Sequence, residues 1–535
     1  MSFKANAFRQ ITLNDSFLNA SDRVKKIVEH SWCKDFADVV FPAINEERFA
    51  VLYSDNKFSR SNTPVNFIVG ALILKENNSL SDDELMEAIC CDIRYQYALH
   101  TTHLKEQPVS DRTFSRFRER LYNYALQTGK DLMAEEMEHL TSNFKKYMSL
   151  NSNVKRMDSM MVASRCKKMS RLEIVYATTA NAVRLIDRCG ETCLLNGSLM
   201  HYLEEDDLNN TVYYCKGEDV EPRLAKALKE AEAVLAIMSD DRWHEFQEYQ
   251  LLFRVLNEQT EQSGDGSRTA RDKGDIAPDS LQNPSDPDAT FRKKAGKAHK
   301  GYSTNIVEEV GETGSLITGI QTEKNNYSDS QFFKDYAEGK TSDDKETVIT
   351  DGAFGGAENQ AIAESKNIEL VTTSLTGRET DKLLADFVFN EEGTQVRSCP
   401  AGHAPIKTTY YPKTGQCRVL FKKNCCAECP NRDICKAKEQ RKNFAVHISA
   451  NMVRRAGYLR KLSTDEYKKL TRQRNAVEGI PSVFRRKYRV DEIPVFGLLR
   501  VRPFIIFKAL AYDFNKIRNY NRRSRDKSAL LPAIG

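Results

Sequence analysis

The sequence predicts an α/β protein built on a mixed sheet, with an all-α N-terminal region, a helical insertion and a small cysteine-rich insertion. Three observations predict it. A β-branched run, Val348, Ile349 and Thr350, delivers Asp351 into a turn holding Gly352, Gly355 and Gly356, and AENQAIAESKN after it has the composition of a helix. Residues 301–310 and 315–322 read as two strands around GETG, a hairpin signal. The stretches before and after this region repeat their apolar residues at helical spacing.

At 535 residues the chain exceeds one ordinary core and implies three or four structural units. Hydrophobic residues make up 40% and charged residues 29%, the balance of a globular protein. The longest apolar run near the start, 67–74, is far short of a membrane span, and no signal-peptide pattern is read there. Thirteen cysteines, with Cys33, Cys90 and Cys91 lying singly in helical stretches, favour reduced thiols in a cytoplasm over a disulfide framework. The net charge of +5 is uneven: from Thr471 to Lys527 there are 15 Lys and Arg against 5 Asp and Glu. That basic segment suggests a polyanionic partner, with a solvated basic helix as the plain alternative.

Residues 64–124 read as three helices. Ser81 and Glu84 form a capping box for the second, and Ser110 with Asp111 offers a cap for the third. In the third, Arg112, Arg116 and Arg120 recur at i, i+4, i+8 and share one face, compatible with DNA docking or with a solvated stripe on a plain bundle. A helix over 126–146 follows. Residues 154–163 are strand-like and carry Asp158 among Met157, Met160, Met161 and Val162; acids are depleted in strands, so a metal site or an edge position is called for. Residues 171–258 return to helical periodicity, and the Gly, Ser, Asp, Asn and Pro content of 259–290 predicts a flexible connection. Ser328 and Asp329 are read as caps of the next helix, and 368–372 as a further strand.

Six cysteines fall between Cys399 and Cys435. Cys426 and Cys429 have the CxxC spacing of a tetrahedral zinc site, Cys435 follows at a workable distance and Cys399 completes four thiolates. Cys425, Cys417 and His403 are possible substitutes, and loose thiols in a loop are the alternative to a metal. Farther on, Ser463 and Glu466 read as a capping box for a helix that carries Glu478 with Arg474 one turn before it. Pro481 is expected to end or kink that helix ahead of the basic Arg485, Arg486, Lys487 and Arg489.

Two metal ions that drive displacement at phosphorus need carboxylates converging from different elements, which Asp158, Asp351 and Glu478 offer at one edge of an RNase H-like sheet. With SLSDDELMEAI, SDRTFSRFRERL, RMDSMMV, DPDATFRKKAGKAHKGY, TDGAFGG, CPAGH, CCAECPNRDIC and RNAVEGIPSVFRRKY in this order, the sequence resembles the DDE transposases of bacterial insertion sequences. Thr471 stands where that family carries a tyrosine and Arg485 where it carries a lysine. The resemblance implies an RNase H-like core in which Asp158, Asp351 and Glu478 hold Mg2+ or Mn2+. It makes Arg474 the signature arginine, while the cysteine spacing itself favours a structural Zn2+ in the cysteine-bearing insertion. The implied organisation is a DNA-binding helical domain (1–148), core segments (149–170 and 291–375), a helical insertion (171–258), a linker (259–290), a cysteine-rich insertion (376–446) and a C-terminal part with Glu478 and the basic tail (447–535). The expected activity is binding of element ends, strand cleavage and joining to target DNA, by a homodimer on double-stranded DNA in the bacterial cytoplasm at the nucleoid. DNA contacts are expected from Arg112, Arg116, Arg120, Arg474, Arg485, Arg486 and Lys487, and no membrane is involved. A silent DNA-binding repressor or remnant and a plain metal-dependent nuclease are the competing readings.

Overall fold

The computed structural model describes residues 1–6, 17–56, 58–262, 264, 268–294, 296–372, 381–474 and 479–530, without the side chains of 357 and 526–530. The chain forms two compact units: Met1–Ser152 with Asp158–Ser328 and Ile480–Gly535, and Asn153–Met157 with Asp329–Gly479.

The first unit opens with helices. Val65–Asn78 is buried from Val65 to Asn77, so it is apolar on nearly every side and shows no amphipathic stripe. The charges it does bury are paired: Glu76 with Lys508, and Lys75 with Asp82 at 3.1 Å. The Ser81–Glu84 capping box forms as expected. The helix expected beyond it is two, Asp82–Cys91 and Ile93–Ala98, because the Asp92 side chain accepts the Arg94 backbone N–H (2.9 Å) and caps a new start. The third helix, Thr113–Thr128, begins later than Ser110 and Asp111 predict; Arg112 occupies its N-cap without a side-chain cap bond, and the Ser110 backbone N–H donates to the Thr113 hydroxyl (2.8 Å).

The helical insertion holds Arg171–Arg188, capped by Ser170, then Val220–Ile237 and Gln247–Gln259. They share a core that includes Tyr176, Tyr202 and Trp243. Its ends meet: the Arg171 guanidinium donates to Gln259 Oε1 (2.7 Å) and to the Gln259 carbonyl (3.0 Å).

The stretch predicted to be a flexible connection is instead folded where it is described. Thr260–Gln262 pairs with Arg268–Ala270, and Ser280, Asn283 and Asp286 are buried. Its polar composition serves hydrogen bonding: Asp286 accepts from Ser164 Oγ (2.6 Å), Tyr302 Oη (2.5 Å) and the Gly497 N–H (3.1 Å).

Strand β1 (Val154–Ala163) is divided between the units, with its Asp158–Ala163 part in the first. There it lies beside β3 (Lys297–Gly311), which pairs antiparallel with both β2 (Thr290–Lys294) and β4 (Gly314–Lys324). A Cβ at Gly301 would collide with the Val162 carbonyl, so glycine is needed where β3 meets the end of β1. The Leu498–Leu530 helix packs on β4 and on Val65–Asn78, and its wholly buried Asp513 accepts the Ile317 N–H of β4 (2.8 Å).

In the second unit, Val154–Met157 of β1 runs parallel to β5 (Glu346–Thr350), and β5 parallel to β6 (Ile368–Thr372). All five β5 residues are buried, which explains the unbroken β-branched run. Helices Asp329–Gly339 and Ala357–Ser365 flank these strands in sequence. Parallel and antiparallel pairing together make the protein mixed α/β, as expected. The cysteine-rich module is an antiparallel sheet of β7 (Lys407–Tyr411), β8 (Gln416–Lys422) and β9 (Asn443–Ile448), with the short Lys438–Glu439 strand on β9. Helices Ala450–Leu462 and Asp465–Arg474 follow. Ser463 does not open the second of these: its hydroxyl bonds back to the Leu459 and Arg460 carbonyls, and Thr464 Oγ1 accepts the Tyr467 N–H (3.4 Å) instead. Whether Pro481 ends or kinks the helix carrying Glu478 falls on residues 475–478, outside those described. Pro481 is the third residue of the described helix Gly479–Arg486.

Candidate active site and nucleic-acid contacts

Asp351 follows directly on β5. Its Oδ1 accepts the Ala353 N–H (2.8 Å) within the turn. The next helix is capped at Gly356 without any side-chain bond, so Asp351 is not spent as its N-cap, the ordinary task of an acid in this position. None of the turn glycines takes a left-handed backbone; Gly355 is required by packing, since a Cβ there would lie 2.9 Å from Thr372 Cγ2. Arg474, the last described residue of the Asp465–Arg474 helix, brings Nη2 to 3.9 Å from Asp351 Oδ2, at the outer limit of an ion pair.

Asp158 sits within β1, half-buried between the buried Met157 and Met160, and its Oδ1 accepts the Ser159 N–H (3.0 Å). Arg156 of β1 pairs with Ile349 of β5. Arg156 is buried and donates to the Gln473 carbonyl (2.6 Å), tying the Arg474 helix to the start of β1. Glu478 falls outside the described residues.

Arg112 and Arg116 are exposed and Arg120 is half-buried, while Phe114, Phe117 and Leu121 point into the core. Arg116 and Arg120 line one cavity with Arg60, and the Arg120 guanidinium lies 4.5 Å from the Tyr53 ring centre. Arg118 serves structure: it pairs with Asp82 and stacks on Phe504. Arg485, Arg486 and Lys487 are exposed. Arg485 donates to the Met161 carbonyl of β1 (3.0 Å) and pairs with Asp491 (3.3 Å), so part of its donor fork is already engaged. Although the Lys487 side chain as a whole is exposed, partial desolvation of its ammonium, with Arg518 nearby, pulls it below its usual range.

Cys399, Cys426, Cys429 and Cys435 line a single cavity of about 30 Å³, with His403 also on its wall. Two come from tight turns: the Cys399 carbonyl accepts the Gly402 N–H (2.8 Å), and the Cys429 carbonyl accepts the Arg432 N–H (2.9 Å). Burial, with the neighbouring cysteines adding to it, pushes the Cys426 thiol up to about 11. Cys417 is elsewhere, buried in the module core with its thiol on the Thr394 carbonyl (3.2 Å), and Cys425 is not on the cavity wall. Among the described residues, no three His, Cys, Asp or Glu side chains are drawn together as a ready metal site.

Sequence periodicity singles out neither Arg60 nor Gln107, because only the fold brings them to the cavity of Arg116 and Arg120.

Residues 23–120 match a family model described as a transposase domain (DUF772), and residues 398–518 match one described as a transposase DDE domain. No curated protein and no solved structure matches the chain. The first match spans the Arg112–Arg120 stripe, and the second the cysteine module, Arg474 and the basic segment. The occurrence of these two matches in one chain is typical of the DDE transposases of bacterial insertion sequences.

Proposed function

We propose that the protein binds the ends of its own insertion sequence, cleaves DNA strands by metal-dependent hydrolysis and joins them to target DNA on an RNase H-like core. The observation that carries this is Asp351: a strand-end carboxylate not used as a helix cap, with Arg474 at 3.9 Å. Asp158, Asp351 and Glu478 would hold Mg2+ or Mn2+, whose preference for hard oxygen donors this set fits. When bound, the metal activates the attacking oxygen and offsets charge at phosphorus. Arg474 places a cation beside the Asp351 carboxylate and Arg156 anchors its helix. Arg112, Arg116 and Arg120 contact the element ends, while Arg485, Arg486 and Lys487 grip phosphates with whatever donors remain free of structural bonds. The protein works as a homodimer on double-stranded DNA in the bacterial cytoplasm. No described helix is long and apolar enough to cross a membrane.

The cysteine module holds one structural Zn2+ through Cys399, Cys426, Cys429 and Cys435; their convergence on one cavity supports this, since thiolates are preferred ligands of a closed zinc site.

Supercoiled plasmid carrying element ends tests the catalytic reading. Cleavage and joining should require Mg2+ or Mn2+, and Asp158→Asn, Asp351→Asn and Glu478→Gln should each lower the rate at least about a hundredfold with the melting temperature nearly unchanged. Full activity in any one variant removes that residue from the site.

A further inference from the structure

The N-terminal helices carry a second concave site, distinct in chemistry from the acids. Its volume is about 450 Å³, inside the range of roughly 300–1,000 Å³ typical of small-ligand sites. Arg60, Arg116 and Arg120 line it against one carboxylate, Glu106. Arg120 is stacked on Tyr53, and none of the ion pairs found among the described residues engages Arg60 or Arg116. Cations gathered on one concave wall repel one another unless an anion sits among them, and the guanidinium fork matches phosphate oxygens. Ser110 and Thr113, beside the start of the Thr113–Thr128 helix, belong to the same wall and add hydroxyl oxygens, which also bond each other (3.0 Å).

Gln107 gives an independent sign that the ligand is more than a phosphate. Its Nε2 donates to the Thr101 carbonyl (3.3 Å), whereas its buried Oε1 receives no hydrogen bond from the described residues. A buried amide oxygen left so is costly, and a ligand N–H would satisfy it. Every nucleobase offers an N–H on its pairing edge once unpaired. The cavity exceeds what one phosphate fills and cannot admit a duplex, whose major groove alone is about 12 Å wide.

We infer that this cavity binds one unpaired nucleotide of a DNA strand, its phosphate between Arg60, Arg116 and Arg120 and a base N–H on Gln107 Oε1. The source of the strand rests on the transposase reading; the chemistry of the cavity does not. The test uses the full-length chain and a fluorescently labelled single-stranded DNA trinucleotide, with inorganic phosphate as competitor and a blunt duplex of the element end as a separate arm. One trinucleotide should bind per chain. Affinity should fall at least tenfold in the Arg60→Ala/Arg116→Ala double variant and several-fold in Gln107→Leu, and stay unchanged in Lys130→Ala, an exposed lysine away from the cavity. Inorganic phosphate should compete only at concentrations at least a hundredfold higher. Binding that survives the double variant overturns the assignment, and phosphate competing as well as the trinucleotide reduces the cavity to a simple anion site and overturns the nucleotide. Should the double variant melt early, Arg60→Lys/Arg116→Lys keeps the charge without the fork; wild-type affinity there also overturns it. Trinucleotide binding without duplex binding would instead count against the transposase reading and leave the cavity assignment standing.

Discussion

Among the described residues, the helical insertion buries a cluster of 24 apolar side chains, Trp243, Tyr176 and Tyr202 among them, whereas the cysteine module gathers nine, one of which is itself a cysteine. Both are additions of comparable length to the α/β strands, yet they reach stability by different routes. A core of two dozen apolar residues, with aromatic side chains that bury some 150–250 Å² each, can offset the conformational entropy of three helices. Nine cannot do the same for a set of short strands, and small modules in that position rely on cross-links or metals. Four cysteines, Cys399, Cys426, Cys429 and Cys435, line one cavity of the module, and the proposed zinc would supply that link.

The largest effect should therefore come from the cysteines. Cys426→Ser with Cys429→Ser, or prolonged chelation, should unfold the module around β7–β9, read as loss of hydrogen-exchange protection at Val419 and Val446. Protection at Val183 and Leu228 in the helical insertion should persist. Wild-type protein should contain about one zinc per chain. Zinc-free protein with a fully protected module would show that nine buried residues suffice after all.

Next in size is Trp243→Ala, which empties the centre of the helical core and should cost about 3–5 kcal/mol in denaturant unfolding of the insertion, while leaving zinc content untouched. A cost below about 1 kcal/mol would mean that the aromatic core is not what holds the helices.

The smallest effect is acid sensitivity. Burial raises Asp207, but hydrogen bonds from Tyr176 (2.6 Å) and His201 (2.8 Å) more than offset it and hold the carboxyl below its usual range. An acid whose native value is depressed adds stability above the unfolded value, about 3.9, and loses it as pH falls through the native one. The helical insertion should thus weaken below about pH 4, and Tyr176→Phe should shrink that limb while costing about 1–3 kcal/mol near neutrality. The cysteine module should show little of it, because its Arg460–Asp386 pair is 42% exposed on both sides and screened by water. An equal acid limb in both regions would erase this difference.

Strands were the most legible elements. Val348, Ile349 and Thr350 are β-branched because β5 is buried on both faces, and GETG marks the β3–β4 turn through glycines at both ends. Helix ends were less so: Asp92 splits one helix, and Thr464 rather than Ser463 caps another, since neighbouring hydroxyls and acids compete for the same N–H groups. The 259–290 stretch misled because its polar residues look solvated in sequence, whereas Asp286 spends its oxygens on Ser164, Tyr302 and Gly497, all distant along the chain. At the candidate site, Asp351 and Arg474 could be picked out by their local settings. Arg60 and Gln107 could not, because nothing local announces a cavity that tertiary packing creates.

The Arg171–Gln259 clasp bears on the order in which the chain assembles. Val154 pairs with Thr347 about 190 positions later, so β1 must wait for a distant partner to be made. The helices between close through neighbours in sequence, and such local contacts form early. Once the clasp draws together two residues 88 apart, the remaining search is about half as long. By loop-closure entropy that saves only about 0.5 kcal/mol. The greater gain is in timing: the helical insertion has all its partners before β5 leaves the ribosome, so the slow parallel pairing starts from a chain already partly folded.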